Sequence, residues 1–98
     1  MNMNPVSDIT KFTYVYILRS QKDNRWYSGC TSDLRKRFKE HNNGEFKSWT
    51  KGRGPFELIY YEAYRHPKDA WAREKQLKSG LGKRYIKERL KRFLSLTG

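Results

Sequence analysis

One segment of the sequence, Phe12 to Arg19 (FTYVYILR), is apolar on both of the faces that a β-strand would present. This density of β-branched and aromatic side chains favours a strand. One face would carry Tyr14, Tyr16 and Leu18, and the other Val15 and Ile17. Because a strand with one solvated face alternates apolar and polar residues, a strand that is apolar on both faces is expected at the centre of a sheet covered on both sides.

Turn and capping residues divide the rest of the chain into further elements. The turn formers Ser20 to Asn24 connect a first strand (Thr13 to Arg19) to a second (Arg25 to Gly29), which predicts a β-hairpin. The remaining predicted elements are a helix over Leu34 to Asn42, a strand over Phe56 to Tyr64, a helix from Pro67 to about Lys78, and one helix after Gly82 that includes Ile86, Leu90, Phe93 and Leu94.

The resulting order, β-β-α-β-α-α, predicts an α+β fold. We expect a small three-stranded, mainly antiparallel sheet flanked by helices. Residues 1–11 are polar and show no period, so they are expected to form a tail, and residues 12–95 a single domain.

Net charge narrows the range of partners. The 98 residues include 22 Lys and Arg against 10 Asp and Glu, a formal charge of +12, so nucleic acid is the expected partner. An aromatic content of 15% excludes a disordered basic tail. The cations expected to contact a phosphate backbone are Lys78, Lys83, Arg84, Lys87 and Lys91, although a basic face that is only solvated has the same pattern.

Cysteine content and hydropathy exclude several other classes. The single cysteine, Cys30, cannot form an internal disulfide, and with 2 histidines the chain lacks the ligands of a Cys-based structural zinc site. Apolar runs such as Tyr14 to Leu18 and Leu58 to Tyr61 are far shorter than the ~20 residues of a membrane span. The N-terminus has no secretory pattern, so we expect a reducing, cytoplasmic compartment.

One carboxylate lies where a plain binding module would not need it. On a helical wheel Glu74 falls between Ala70 and Trp71, on the apolar side of its helix. A carboxylate in that position is costly unless it is paired or binds a metal. In a chain this basic, an ion pair to a Lys or Arg is the simpler explanation.

Four further side chains complete a possible reactive set. Arg37 and His41, at i and i+4, lie near the inward face of the first helix, and the hairpin would bring Tyr16 close to Tyr27. The helix dipole could account for the histidine and packing for the tyrosines. Together with Glu74, however, these residues supply the groups that metal-assisted phosphodiester hydrolysis needs.

The same residues carry a resemblance to the GIY-YIG nuclease superfamily, in particular to its small bacterial members that are similar to the N-terminal nuclease domain of bacterial excinuclease. Tyr14-Val15-Tyr16 stands in place of the Gly-Ile-Tyr triplet, and Tyr27-Ser28-Gly29 in place of Tyr-Ile-Gly. Arg37 and His41, in CTSDLRKRFKEH, match the helical Arg-x-x-x-His pattern. Glu74, in DAWAREKQLK, stands at the metal-binding glutamate.

This resemblance, over about Phe12 to Leu94, implies a metal-dependent endonuclease for DNA, structure-directed or weakly sequence-specific. One Mg²⁺ or Mn²⁺ would be held by Glu74 and by the substrate phosphate. The implied catalytic roles are phosphate contact for Arg37, a proton-accepting Tyr16 with Tyr27 as its partner, and a relay for His41. Since a free phenol has a pKa near ~10, the site is expected to lower the pKa of the tyrosine.

Cys30 departs from the family pattern, because some relatives have a Lys at this place. Any role of that Lys must therefore come from elsewhere in this chain. Two other functions stay open: a non-catalytic nucleic-acid-binding module with the same fold, and a nuclease for RNA or single strands. In the second, Trp26 and Trp49 could be stacking platforms, although packing at the sheet edge explains both rings as well.

Overall fold

The strand with two apolar faces lies at the centre of an antiparallel sheet in a computed structural model of the protein, which describes residues 11–43 and 52–97. Strand β1 (Thr13–Ser20) pairs with β2 (Trp26–Thr31) on one side and with β3 (Phe56–Tyr64) on the other, so the strand order is β2-β1-β3. The expected central strand and three-stranded sheet are confirmed. The predicted tail lies, except for its last residue, outside the described residues.

The turn between β1 and β2 follows from its polar residues. The Ser20 hydroxyl accepts hydrogen bonds from the backbone N–H groups of Lys22 and Asp23, and the Asp23 carboxylate accepts one from that of Arg25 at 2.9 Å. Asn24 has a φ of 61°, the left-handed conformation that Asn tolerates better than most residues. Strand β2 runs on to Thr31, beyond the predicted end at Gly29, because Thr31 still pairs with Tyr14.

A β-bulge in β3 determines which residues face which side. Ile17 pairs with Tyr60 and Leu18 with Leu58, so Ile59 is an extra residue. A bulge of this kind shifts the alternation of the strand by one residue. Leu58 consequently packs with Tyr16 and Leu18 on one face of the sheet, whereas Tyr60 packs on the other.

The described part of the chain contains four helices: α1 (Leu34–Asn42), α2 (Pro67–Leu77), α3 (Gly80–Arg89) and α4 (Lys91–Thr97). Side chains cap the first three helices at their N-termini, as Asp33 accepts from the Lys36 N–H, His66 from that of Lys68 and Ser79 from that of Gly82. No helix among the described residues combines the length and the apolar surface of a membrane span.

The prediction of one helix after Gly82 was wrong. The helix begins earlier, at Gly80 after its Ser79 cap, and ends before Leu90, whose φ of −103° and ψ of 17° leave the helical region. A new helix starts at Lys91. Because the Leu94 N–H still bonds to the Leu90 carbonyl at 2.8 Å, the apolar spacing continues across the break, and periodicity alone could not reveal it.

Two clusters of buried side chains hold the helices on opposite faces of the sheet. On one face Val15 and Ile17 pack with Ala70 and Leu77 of α2 and Ile86 of α3. On the other face Tyr16, Leu18 and Phe56 pack with partly buried residues that include Leu34 and Phe38 of α1. The sheet is therefore covered on both sides, as the apolar β1 predicts.

Close approach of α3 to the end of α2 depends on Gly82. A Cβ at this position would overlap the Gln76 carbonyl oxygen and lie 2.6 Å from the Leu77 Cα.

We expect Gly82→Ala to destabilise the fold by about 2 kcal/mol, because the backbone must shift to make room for the new methyl group. Gly80→Ala, in the same helix but in open space, should be neutral or slightly stabilising; urea unfolding of both variants checks this.

Candidate active site at the edge of the sheet

All the side chains predicted to be catalytic or metal-binding line one open pocket of about 310 Å³: Tyr16, Tyr27, Arg37, His41 and Glu74. A larger pocket of about 460 Å³, around Tyr14 and Tyr61, contains none of them. Among the described residues that line this larger pocket, the one carboxylate belongs to Asp33, which already caps α1. The smaller pocket is therefore the candidate site.

The pocket lies where the two faces of the sheet meet, beside the edge strand β2. Alternation along β2 places Tyr27 and Gly29 on the α1 face and Cys30 on the α2 face. Helix α1 contributes Arg37 and His41 from one side of this edge, and α2 contributes Glu74 from the other. The edge thus brings together residues that are far apart in the sequence.

Tyr16 and His41 form a buried hydrogen-bonded pair at the bottom of the pocket. The Tyr16 Oη lies 3.0 Å from His41 Nε2, and the two side chains are almost fully buried. Tyr16 pairs across the strands with Gly29, and a Cβ there would lie 2.5 Å from the Tyr16 Oη. Only glycine leaves room for the phenol to pass over β2 and reach the histidine.

The electrostatics of the pair favour uncharged side chains. Burial raises the pKa of Tyr16 above its usual 10.0, although a hydrogen bond from Arg37 and its positive charge act in the opposite direction. Arg37 alone therefore does not lower the pKa of the phenol below its usual value, and the expected lowering would need the metal ion as well. Burial also lowers the pKa of His41 below its usual 6.5, and the charge of Arg37 lowers it further. At neutral pH the pair therefore consists of a phenol and a neutral imidazole.

Arg37 lies next to the pair on α1. Its guanidinium bonds to Tyr16, its Nη1 approaches the Cys30 carbonyl oxygen at 3.5 Å, and its Nε lies 3.3 Å from a Glu40 carboxylate oxygen. These contacts hold the cation beside β2 at the rim of the pocket. Arg37 and His41, predicted as a pair on one helix, thus both line the pocket from the α1 side of the sheet edge.

Tyr27 lies diagonally across from Tyr16, since its partner in β1 is Leu18. Its ring packs edge-to-face on Phe56, with centroids 5.7 Å apart. The same Phe56 ring contacts His41, at 6.0 Å. The aromatic cluster therefore fixes both the second tyrosine and the histidine from below.

Glu74 reaches the pocket from α2 as a partly buried, paired carboxylate. Its side chain is 21% exposed, and its Oε2 lies 3.1 Å from Lys78 Nζ, so the simpler explanation, an ion pair, holds in the free protein. Burial, the charge of Glu74 and a hydrogen bond to Glu74 raise the pKa of the neighbouring Cys30 thiol to about 11. The thiol is thus neutral and shares the carboxylate with Lys78.

A second carboxylate, Glu62, has more hydrogen-bond partners than Glu74 but lies on β3, the opposite edge strand of the sheet. It accepts hydrogen bonds from Tyr60 and Tyr64 and from Arg73, at 2.9 and 3.1 Å. Burial opposes its ionisation, but these bonds outweigh burial and lower its pKa to about 2. Because its oxygens are occupied by protein donors, Glu62 is structural, whereas Glu74 pairs with a single cation, Lys78, in the described part of the chain.

The predicted nucleic-acid-binding cations line adjoining depressions, with the exception of Arg84. Lys78 lines the candidate site, and Lys83, Lys87 and Lys91 line neighbouring depressions around Trp26. Arg84 lines none of the pockets described for this part of the chain. Trp26 packs against the core on the α2 face and also lines these depressions, so it has both of the roles considered for it, packing and exposure. Trp49 lies outside the described residues.

Sequence reasoning missed two contributors to the pocket. Trp71, expected on the apolar side of α2, is 57% exposed and lines the pocket. Lys78 was expected only as a backbone contact, yet it pairs with Glu74 inside the pocket. The spacing of Trp71, Glu74 and Lys78 could have revealed both contributors, because residues three or four apart on a helix share a face.

The covered three-stranded sheet and the tyrosine, histidine, arginine and glutamate of the pocket agree with the family resemblance that the sequence carries. Residues 12–93 match the model of the GIY-YIG catalytic domain, and the chain belongs to the GIY-YIG nuclease family.

Several similar proteins carry the name UPF0213. The chain is 46% identical over 65 residues to UPF0213 protein CPE1444 of Clostridium perfringens (66% of this chain, 69% of that protein). It is 39% identical over 79 residues to UPF0213 protein YazA of Bacillus subtilis (78% and 79%). A solution NMR structure of the UPF0213 protein BH0048 from Bacillus halodurans matches with 36% identity and a TM-score of 0.49, over 76% of this chain and 81% of that one.

The neutral state of His41 is directly measurable. Because Arg37 depresses the pKa of His41, Arg37→Gln should raise that pKa towards 6.5, while burial keeps it from rising further. NMR titration of the histidine ring protons checks this, with His66→Gln to assign the two signals. An unchanged His41 titration in Arg37→Gln would contradict the charge coupling.

Proposed function

We propose that the protein is a metal-dependent endonuclease that hydrolyses phosphodiester bonds in DNA, in a structure-directed or weakly sequence-specific way. The observation that carries this proposal is the convergence of the Tyr16–His41 pair, Arg37 and Glu74 in one open pocket. Binding of a phosphate backbone requires cations only. A buried phenol–imidazole pair beside a carboxylate adds groups that move protons and hold a metal.

The residues of the pocket fit one hard divalent cation, Mg²⁺ or Mn²⁺. Glu74 is the one carboxylate among the described residues that line it, and the described residues contain no cluster of three or more His, Cys, Asp or Glu that could form a cage. Magnesium sites commonly combine one or two carboxylates with waters and substrate phosphates. When bound, the ion would polarise the phosphate and neutralise charge that develops on it.

Tyr16 would act as a proton relay and not as a phenolate. Its raised pKa makes a standing phenolate costly, but the neutral His41 at 3.0 Å can take the phenol proton as Tyr16 takes one from the attacking water. Both transfers leave the phenol neutral. Since the tyrosine–histidine bond involves Tyr16, we assign the relay to Tyr16 and a packing and orienting role to Tyr27.

Arg37 and Lys78 would each contact the phosphate of the substrate and compensate part of its negative charge. Arg37 lies beside Tyr16 at the rim of the pocket and would contact the non-bridging oxygens, where negative charge grows in the transition state. Lys78 would exchange its contact with Glu74 for the phosphate, which frees the carboxylate for the metal. In this way Lys78 supplies from α2 the ammonium that some relatives carry at the place of Cys30.

Substitution of Glu74 tests the proposal. Glu74→Gln should abolish cleavage of labelled DNA in Mg²⁺ or Mn²⁺, by a factor of about 10³ or more, because the amide is a far weaker metal ligand. DNA binding should persist, since the cationic surface is intact. The assay uses single-stranded, duplex, flap and branched DNA and the matching RNA strands.

Glu88→Gln is the matched control, because Glu88 is also a helical glutamate with a Lys partner, at 3.3 Å, but is exposed and outside the pocket. It should cleave like the wild type. Equal activity of Glu74→Gln and Glu88→Gln would refute the assignment. If the wild-type protein binds these nucleic acids and cuts none, the non-catalytic binding module is the function, and cleavage restricted to RNA would identify a ribonuclease.

A further inference from the structure

A row of lysines leads away from the candidate site along one side of the domain. We propose that the cut strand is held on one side of the scissile bond only, along the lysine path, which we define as Trp26, Lys78, Lys83, Lys87 and Lys91. This inference rests on the proposed function and adds where the substrate lies. The occupant is the sugar-phosphate backbone of the strand that is cut.

Three depressions form a continuous groove. The candidate pocket shares Tyr27, Ser28 and Lys78 with a pocket of about 170 Å³ that also contains Trp26 and Lys83. That pocket in turn shares Trp26 with a third, of about 490 Å³, which contains Lys87 and Lys91. A strand that enters the pocket can therefore continue past the Trp26 ring, which lines the second and the third depression.

The charges along this groove are available to an anion. Lys83 and Lys87 are exposed and form no ion pair with any residue that the structure describes. Lys91 pairs only with Glu88, on a surface where both side chains are more than 60% exposed, and such pairs are weak. Arg19 also borders the groove, but Glu57 binds it at 2.7 Å, so it contributes little free charge.

The spacing suits a repeating anion. Lys83 and Lys87 are four residues apart on α3, so they share a helix face with a rise of about 6 Å between them. Lys91, four residues further on, continues the series at the start of α4. The path therefore presents two cations about one helical turn apart, and Lys91 follows after the break at Leu90.

A further depression of about 330 Å³, with Arg25 and Arg53, shares Tyr27, Ser28 and Lys78 with the candidate site and Trp26 with the path, so it adjoins the path on the same side. Towards the N-terminal end of α1, the described part of the chain has no such connection. Among the described residues, the large depression around Tyr14, Arg35 and Tyr61 shares no lining residue with the candidate site. Asp33 lies at its border and would repel phosphate. Contact with the substrate should consequently be asymmetric about the scissile bond.

A pair of double variants with equal charge loss tests the path. Lys87→Ala/Lys91→Ala removes two path lysines, and Lys68→Ala/Lys75→Ala removes two exposed lysines of α2 that lie outside it. Both are made in the Glu74→Gln background, so that binding is measured without cleavage. The probe is a labelled DNA whose cut position has been mapped with the wild type, with versions shortened on either side of the cut.

The path variant should bind the full probe about 10-fold more weakly at low salt and reduce the slope of log affinity against log salt by about 2. The control should retain most of the affinity and the slope. Shortening one flank should weaken binding and abolish the difference between path variant and control, whereas shortening the other flank should change neither.

Equal losses in the two double variants, or equal dependence on both flanks, would overturn the path. These outcomes are separable from failure of the nuclease proposal. If no probe is cut by the wild type, substrates are shortened around the position of strongest footprint protection instead, and a one-sided lysine dependence then supports the path as a binding surface without catalysis.

Discussion

The Tyr16 phenol can reach His41 only because residue 29 has no side chain. That single steric condition ties the register of the β1–β2 hairpin to the position of α1, because the phenol crosses the edge strand to bond to a helical histidine at 3.0 Å. A one-residue slip of β2 would place a side chain under the ring. The glycine of the second family triplet is thus a geometric requirement of the pair and not of the backbone conformation.

The edge of the sheet lets opposite charges meet without burying them fully. Arg37 arrives from the α1 face and Glu74 from the α2 face, and each remains partly exposed. Full burial would either neutralise such groups or demand complete pairing. Glu62 is about as exposed as Glu74, but three protein side chains occupy its carboxylate. In the proposed mechanism, the looser pairing of Glu74 with Lys78 leaves a carboxylate that can bind a metal ion together with the substrate phosphate.

Much of this arrangement follows from the sequence, and the exceptions have identifiable causes. Alternation in β1 and capping at Asp33 predict the sheet, its central strand and the limits of α1, because these patterns are local. The break at Leu90 and the exposure of Trp71 depend on how α2 and α3 pack, which periodicity does not encode. The raised pKa of Tyr16 in the protein without a metal ion could not be predicted, because the sequence shows the nearby cation Arg37 but not the burial that outweighs it.

The central claim is that Tyr16 and His41 act as one proton-transferring unit. A double-mutant cycle of Tyr16→Phe and His41→Gln, measured as single-turnover DNA cleavage, tests it most directly. Tyr14→Phe, on the same strand and face but outside the pocket, controls for loss of a β1 hydroxyl. We predict that the double variant is no slower than the slower single variant. If the rate losses of the two single variants multiply in the double variant, Tyr16 and His41 have independent roles, and the relay is contradicted.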